Sequence, residues 1–114
     1  MSIEVIMQPI SIAKIREHAA ATFGDMVKIV VDLDKKIMAI GGELHADEEA
    51  VLLGQGSKQA DLWGANIYPD QPRESWLEYN SMINIRPSVG NRSRDIQDVT
   101  VQQQVKSIVD LLVQ

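Results

Sequence analysis

The chain has 114 residues, 45% of them hydrophobic, a formal net charge of −5 and no cysteine. This length fits one domain, residues 1–114, and the lack of cysteine excludes disulfides, thiolate nucleophiles and thiolate zinc sites. The negative charge disfavours nucleic acid and anionic membranes as partners, and without a membrane-spanning apolar run or a signal-peptide pattern we expect a cytoplasmic protein.

The N-terminal quarter of the chain predicts a strand followed by a helix. Residues 3–7 are rich in β-branched side chains, which is typical of a strand. Ser11 is a suitable N-cap, and apolar residues then recur at spacings of three and four until Gly24. His18 lies off this apolar stripe, which predicts a solvated surface histidine.

The middle of the chain predicts a hairpin and a short helix. Residues 26–33 alternate in polarity and residues 37–40 are apolar, so the two runs indicate neighbouring strands joined by a tight turn. Residues 47–53 predict a short helix closed by Gly54. Ser57 is placed to cap one further helical turn.

The remaining elements set the fold class. Residues 65–69, 75–79 and 82–87 predict three strands, and residues 98–113 predict a helix with Asp98 as its N-cap. Hairpin-length links imply a single α+β domain with a mainly antiparallel or mixed sheet of about five or six strands. An N-terminal helix, a short middle helix and a C-terminal helix pack on this sheet. Neither G-x-G-x-x-G nor G-x-x-x-x-G-K-[ST] occurs, which disfavours a dinucleotide or P-loop site.

Several motifs are similar to those of one protein family. GDMVK, IGGELHAD, GSKQADLWG, NIYP, INIRPSVGNRS and IQD occur in this order along the chain. With them the chain resembles short prokaryotic proteins grouped as a domain of unknown function, from about Ile3 to the C-terminus. The resemblance implies a single prokaryotic domain and no particular activity.

The segment GGELHADEE, residues 41–49, supports two interpretations. If the preceding strand continues past Gly42, alternation places Glu43, His45 and Asp47 on one side. Together with Asp61 they would suit a divalent metal such as zinc, manganese or iron. Alternatively, Asp47 is a helix N-cap and the two glutamates that follow form a solvated face.

The segment NIRPSVGNRSRDIQD, residues 84–98, gathers cations in an acidic protein. Arginine pairs well with phosphate or carboxylate, so the loop is a candidate anion site. Its predicted ligand-binding residues are Arg86, Arg92, Asn91, Ser88, Ser93, Asn84 and, from a neighbouring strand, Asn66. The alternative is that the arginines pair with carboxylates such as Asp95 and Asp98 and order the connection.

Three functional hypotheses follow from these segments. The first is a small domain that binds a phosphorylated or carboxylated small molecule through the Arg/Asn/Ser loop. The second is a structural or regulatory homodimer, because Leu111 and Val113 widen the apolar arc of the last helix. The third is a metal-dependent hydrolase that uses Glu43 and His45.

Overall fold

A computed structural model describes residues 2–114, which form one five-stranded antiparallel sheet with three helices. The strands are β1 (Glu4–Ile6), β2 (Val27–Asp32), β3 (Ile37–Ile40), β4 (Leu62–Ile67) and β5 (Leu77–Glu78), in the spatial order β1-β3-β2-β4-β5. The helices are α1 (Ile12–Ala21), α2 (His45–Gly54) and α3 (Val99–Leu112). Single 3-10 turns span Gln59–Asp61, Arg73–Ser75, Met82–Asn84 and Pro87–Val89. The α+β class and the antiparallel sheet with its three helices are confirmed.

The larger hydrophobic core lies on one face of the sheet. Ile29 and Val31 of β2 point into it, and Ile15 of α1 and Val105 of α3 are fully buried against the same cluster. Trp76, just before β5, also belongs to it. The terminal helices therefore both cover this face.

A smaller core lies on the opposite face and is covered by α2. Val30, Ala39 and Leu62 face it from three adjacent strands, and Leu52 of α2 closes it. Further along this face the residues on β2, β4 and β5 become polar, which leaves room for a pocket beside the start of α2.

Two predicted helix caps are confirmed, and two are wrong. Ser57 caps no helical turn, because Lys58 is the N-cap of Gln59–Asp61 and the Ser57 hydroxyl donates to Asp32 Oδ2 at 2.6 Å. The Ser11 side chain accepts from Lys14 N at the start of α1, and Asp98 accepts from Thr100 N at the start of α3. Helix α2 begins at His45, with Leu44 as N-cap and no side-chain cap, so Asp47 lies inside the first turn. Because β3 ends at Ile40, strand alternation does not extend through the GGELHADEE segment.

The predicted strand at 82–87 is wrong, because this segment forms two 3-10 turns. The Asn84 side chain pairs with the Gly64 backbone instead, accepting from its N–H at 2.9 Å and donating to its carbonyl at 2.9 Å. Ser81 packs so closely on Gly64 that a Cβ there would lie 2.5 Å from the serine Cβ. A side-chain clamp thus replaces the expected backbone ladder.

The C-terminal end of α3 is only partly apolar on its outside. Val113 is fully buried and forms a parallel bridge with Ile10, whereas Leu111 is 54% exposed. The homodimer inferred from these two residues stays a prediction. In residues 2–114 no helix has the length and apolar character needed to cross a membrane.

Candidate functional site

Gly41 makes room for a buried histidine. His18 is 1% exposed, so the expectation of a surface position is wrong. Its Nε2 lies 2.9 Å from Glu4 Oε1, and a Cβ on Gly41 would lie 2.5 Å from its Nδ1. The hydrogen bond to Glu4 satisfies Nε2, whereas the buried Nδ1 has no hydrogen-bond partner among residues 2–114.

Gly42 makes room for a buried carboxyl group. Glu48 is fully buried, so its expected solvated position is also wrong. Its Oε2 accepts from Gly42 N at 2.9 Å, and a Cβ on Gly42 would lie 2.8 Å from the Glu48 Cγ. Burial raises the pKa of Glu48 to about 9, so the group is protonated at neutral pH. The glycine pair therefore fits two buried polar side chains closely against the backbone.

Glu49, the residue after Glu48, forms an ion pair with Arg86 of the candidate anion loop. Arg86 Nη2 donates to Glu49 Oε2 at 3.0 Å, and its guanidinium lies 5.3 Å from the centre of the Trp63 ring. Arg86 is 9% exposed. The predicted pairing of an arginine with a carboxylate occurs here with Glu49, on α2, and its geometry is that of a buried structural ion pair.

The rest of the loop is mostly organised by its own side chains. Asn91 Nδ2 donates to the carbonyls of Asn84, Ser93 and Asp95, and the Asn84 amide is used by Gly64. Arg92 and Ser88 are exposed, and Ser93 accepts from Asp95 N. The seven predicted ligand residues do not converge. Anion binding by Arg92 stays a prediction.

The four predicted metal ligands are also dispersed. Glu43 and Asp47 are exposed, whereas His45 is 7% exposed and Asp61 belongs to the 3-10 turn before β4. Across residues 2–114 no group of three or more potential His, Asp or Glu ligands has metal-site geometry. Metal binding stays a prediction, without support from a preformed cluster.

A cavity of about 410 Å³ brings together other polar residues on the α2 side of the sheet. We call it the His45 pocket. Its polar lining consists of Lys28, His45, Asn66, Tyr68, Glu78, Asn80, Ser81 and Arg94, and its apolar lining of Met26, Leu44, Ala46, Met82 and Ile83. Asn66 and His45 are the two sequence-predicted site residues that meet here.

The N-terminus of α2 opens onto this pocket. Leu44, His45 and Ala46 line it, and no side chain caps the helix. Within the described chain the backbone N–H groups of His45 and Ala46 make no hydrogen bond. Free N–H groups and the positive end of the helix dipole favour an anion. Asp47, in the first turn, offsets part of this field.

His45 lines the pocket in a defined tautomer. Nε2 lies 2.8 Å from the Ala65 carbonyl, which can only accept, so Nε2 carries the proton and Nδ1 is an acceptor. Burial lowers the pKa of His45 to about 4, and the charges of Lys28 and Arg94 act in the same direction. The ring is therefore neutral at pH 7.

Asn66 is oriented by its amide nitrogen. Nδ2 donates to Glu78 Oε1 at 2.8 Å and to the Asn80 carbonyl at 3.3 Å. Its Oδ1 is buried and has no hydrogen-bond partner among residues 2–114. Because both Nδ2 partners are acceptors, the amide cannot be turned to hide this oxygen. A buried acceptor is thereby left unsatisfied beside the pocket.

Sequence reasoning missed three charged residues of the pocket. Lys28 is the one charged residue inside the apolar run from Met26 to Val31, a signal that could have marked it. Arg94 belongs to the arginine-rich loop, but Arg86 and Arg92 were favoured there. Glu78 carried no such signal, because only the register of β5 against β4 places it beside Asn66.

Comparisons with known proteins place the chain in a family. Neither the curated proteins nor the solved structures contain a match to it. One family matches residues 4–112, nearly the whole chain, and it is described as protein of unknown function (DUF5674). This confirms the resemblance to a domain of unknown function. The chain belongs to the DUF5674 family.

Proposed function

We propose that the protein binds a small anionic molecule, phosphorylated or carboxylated, in the His45 pocket. The observation that carries this proposal is that the uncapped N-terminus of α2 and two cations, Lys28 and Arg94, line one cavity. The sequence predicted an anionic ligand at the loop that contains Arg86. We propose that the anion binds in the His45 pocket instead.

The two cations are available to a ligand. Across residues 2–114 no carboxylate lies within 4 Å of Lys28 or Arg94. Lys28 Nζ lies 5.2 Å from the centre of the Phe23 ring, an exposed contact that a ligand can replace. Two cations without ion-pair partners in an acidic protein support recognition of negative charge.

The size of the cavity limits the ligand. Pockets that bind small molecules usually have volumes of about 300 to 1,000 Å³. At about 410 Å³ the His45 pocket is near the lower end of this range. It suits a small metabolite better than a nucleotide or a polymer.

Thermal unfolding with inorganic phosphate, small carboxylates and sugar phosphates tests the proposal. A bound anion at about 100 times its Kd stabilises the folded protein by about 2.7 kcal/mol. We expect Arg94→Gln and Lys28→Met to remove the shift and Arg92→Gln to retain it. Arg92 is the matched control, because it lies two residues from Arg94 but does not line the pocket.

Two results would contradict the pocket assignment. A shift that is lost in Arg92→Gln and retained in Arg94→Gln would place the anion on the loop surface. No shift with any of these anions in the native protein would refute anion binding.

We further propose, as a separate candidate, self-association through the outside of α3. Leu111, 54% exposed near the C-terminal end of α3, supports an apolar contact there. Sedimentation should give twice the 12.7 kDa chain mass for the native protein and the single chain mass for Leu111→Gln. A monomer at all concentrations would refute it.

A further inference from the structure

We infer that the ligand of the His45 pocket is a zwitterionic amino acid with an apolar side chain. This inference rests on the proposed anion site and adds a second, cationic end to the ligand. It is carried by two opposite charges on one face of the sheet, by a buried acceptor that lacks a donor, and by exposed apolar residues that line the pocket.

Three polar side chains form a row across adjacent strands, with a charged residue at each end. Lys28 on β2 pairs in register with Asn66 on β4, which pairs with Glu78 on β5, so all three share one face. Neighbouring strands are about 4.8 Å apart, which separates the bases of Lys28 and Glu78 by about 10 Å. These two charged residues form no ion pair with each other in the described structure. The row offers a cation and an anion to opposite ends of one small molecule.

Between these charges a residue that lines the pocket has a buried acceptor without a donor. Asn66 is 4% exposed, and its Oδ1 has no partner in residues 2–114. His45 Nδ1 is an acceptor, because Nε2 donates to the Ala65 carbonyl. Leaving a buried acceptor unsatisfied is unfavourable, so a ligand with several N–H donors would gain binding free energy by donating to it in the pocket.

An ammonium group supplies these donors and a charge. It has three N–H groups, enough for Asn66, His45 and the Glu78 carboxylate. The one N–H of the neutral His45 ring is donated to the Ala65 carbonyl, so it does not satisfy Asn66 Oδ1. A hydroxyl would provide only one donor and no charge for Glu78.

The pocket mouth selects the remainder of the molecule. Leu44 and Met82 line the pocket and are 58% and 64% exposed, although both are large apolar side chains. An apolar ligand side chain would cover part of this surface, which is favourable in proportion to the apolar area buried. The ligand carboxylate then reaches Lys28, Arg94 and the start of α2.

Calorimetric titration with three matched probes tests the charge requirement. L-Leucine carries both charges, 2-hydroxy-4-methylpentanoate lacks the ammonium, and leucinol lacks the carboxylate. We expect leucine to bind at least 10-fold more tightly than either analogue, with L-methionine as a second apolar amino acid. Inorganic phosphate is included as a simple anion.

Variants assign each charge to a residue. Glu78→Gln should weaken leucine binding at least 10-fold and leave the hydroxy acid unchanged, since glutamine keeps a carbonyl for Asn66 Nδ2. Lys28→Met should weaken leucine and the hydroxy acid alike. Arg92→Gln, outside the pocket, should change neither.

The outcomes separate the two proposals. If the hydroxy acid or phosphate binds as tightly as leucine, or if Glu78→Gln affects leucine and the hydroxy acid equally, the zwitterion is refuted and the anion site remains. If leucine and methionine fail while phosphate binds through Arg94, the same conclusion holds. If neither the amino acids, the hydroxy acid nor phosphate binds, both proposals fail.

Discussion

Glu48 and His45 are buried titratable groups of α2 whose effects on stability have opposite signs. Burial raises the pKa of Glu48 to about 9, so its contribution to stability is complete below pH 4.5 and is lost as the pH rises toward 9. Burial lowers the pKa of His45 to about 4, so its contribution is present above pH 6.5 and is lost as the pH falls toward 4. Between pH 4.5 and 6.5 the two effects oppose each other.

Above pH 6.5 the effect of Glu48 acts without that opposition. We expect the free energy of unfolding to fall from pH 6.5 to 9 by at most about 1.4 kcal/mol per pH unit from this group. Glu48→Gln should remove this decline and leave the acid-side loss from His45 unopposed. Urea unfolding from about pH 4 to about pH 9 measures both, with exposed Glu43→Gln as the control. A decline that persists in Glu48→Gln would contradict the assignment.

The close fit of Gly41 to His18 gives a second prediction at the residue scale. Gly24 and Gly41 have similar positive φ angles, +88° and +90°, but a Cβ has open space at Gly24 and meets His18 at Gly41. Gly24→Ala should cost about 1 to 2 kcal/mol from the backbone alone. Gly41→Ala should cost about 1 to 3 kcal/mol more through overpacking, measured by denaturant unfolding. Equal losses would show that His18 moves aside freely.

At the scale of elements, local patterns predicted most of the fold. The Ser11 and Asp98 caps, the hairpin and the terminal helices follow from short-range spacing, and each is present. The errors occurred where a distant partner decides the conformation. The segment after Asn80 has strand-like composition. However, Gly64 on β4 allows Ser81 to approach closely, and the Gly64 backbone bonds to the Asn84 side chain instead of to a neighbouring strand.

The candidate site was only partly predictable for the same reason. His45 and Asn66 were singled out from their local context, but Glu48 and His18 were placed at the surface by a helical pattern. What buries them is the space left by Gly41 and Gly42 in the connection between β3 and α2. The row formed by Lys28, Asn66 and Glu78 depends on strand register, which a single sequence does not reveal without its pairing partners.

The clamp between Asn84 and β4 yields a prediction at this scale. Asn84→Ala removes bonds to Gly64 N, Gly64 O and the Arg94 carbonyl. The two Gly64 groups lose this partner, whereas the Arg94 carbonyl still accepts from Ser81 N. We expect a loss of at least about 2 kcal/mol in the free energy of unfolding. Asn80→Ala removes an exposed bond to Asp95 and should cost less than about 1 kcal/mol. Equal costs would show that the clamp contributes little.

At the scale of the whole molecule, the single chain is as compact as an ordinary monomer. Its accessible surface is 5932 Å², and a monomer of 12.7 kDa is expected to have about 6,200 Å². The two cores lie on opposite faces of one sheet and share β2, because Ile29 and Val31 face one core and Val30 faces the other. Neither core can lose β2 without exposing the other.

This shared strand predicts that the chain unfolds as one cooperative unit. Trp63 and Trp76 belong to the larger core and report on it by fluorescence, whereas far-ultraviolet circular dichroism also includes α2 over the smaller core. We expect both signals to give the same urea midpoint and the same slope, as two-state unfolding requires. Amide hydrogen exchange gives a further check. If the free energy of opening is much lower for amides of α2 than for amides of β2, α2 and the pocket beside it open separately from the rest of the chain. Leu52→Ala tests the link directly, because a cavity in the smaller core should lower the tryptophan midpoint by the same amount as the circular dichroism midpoint.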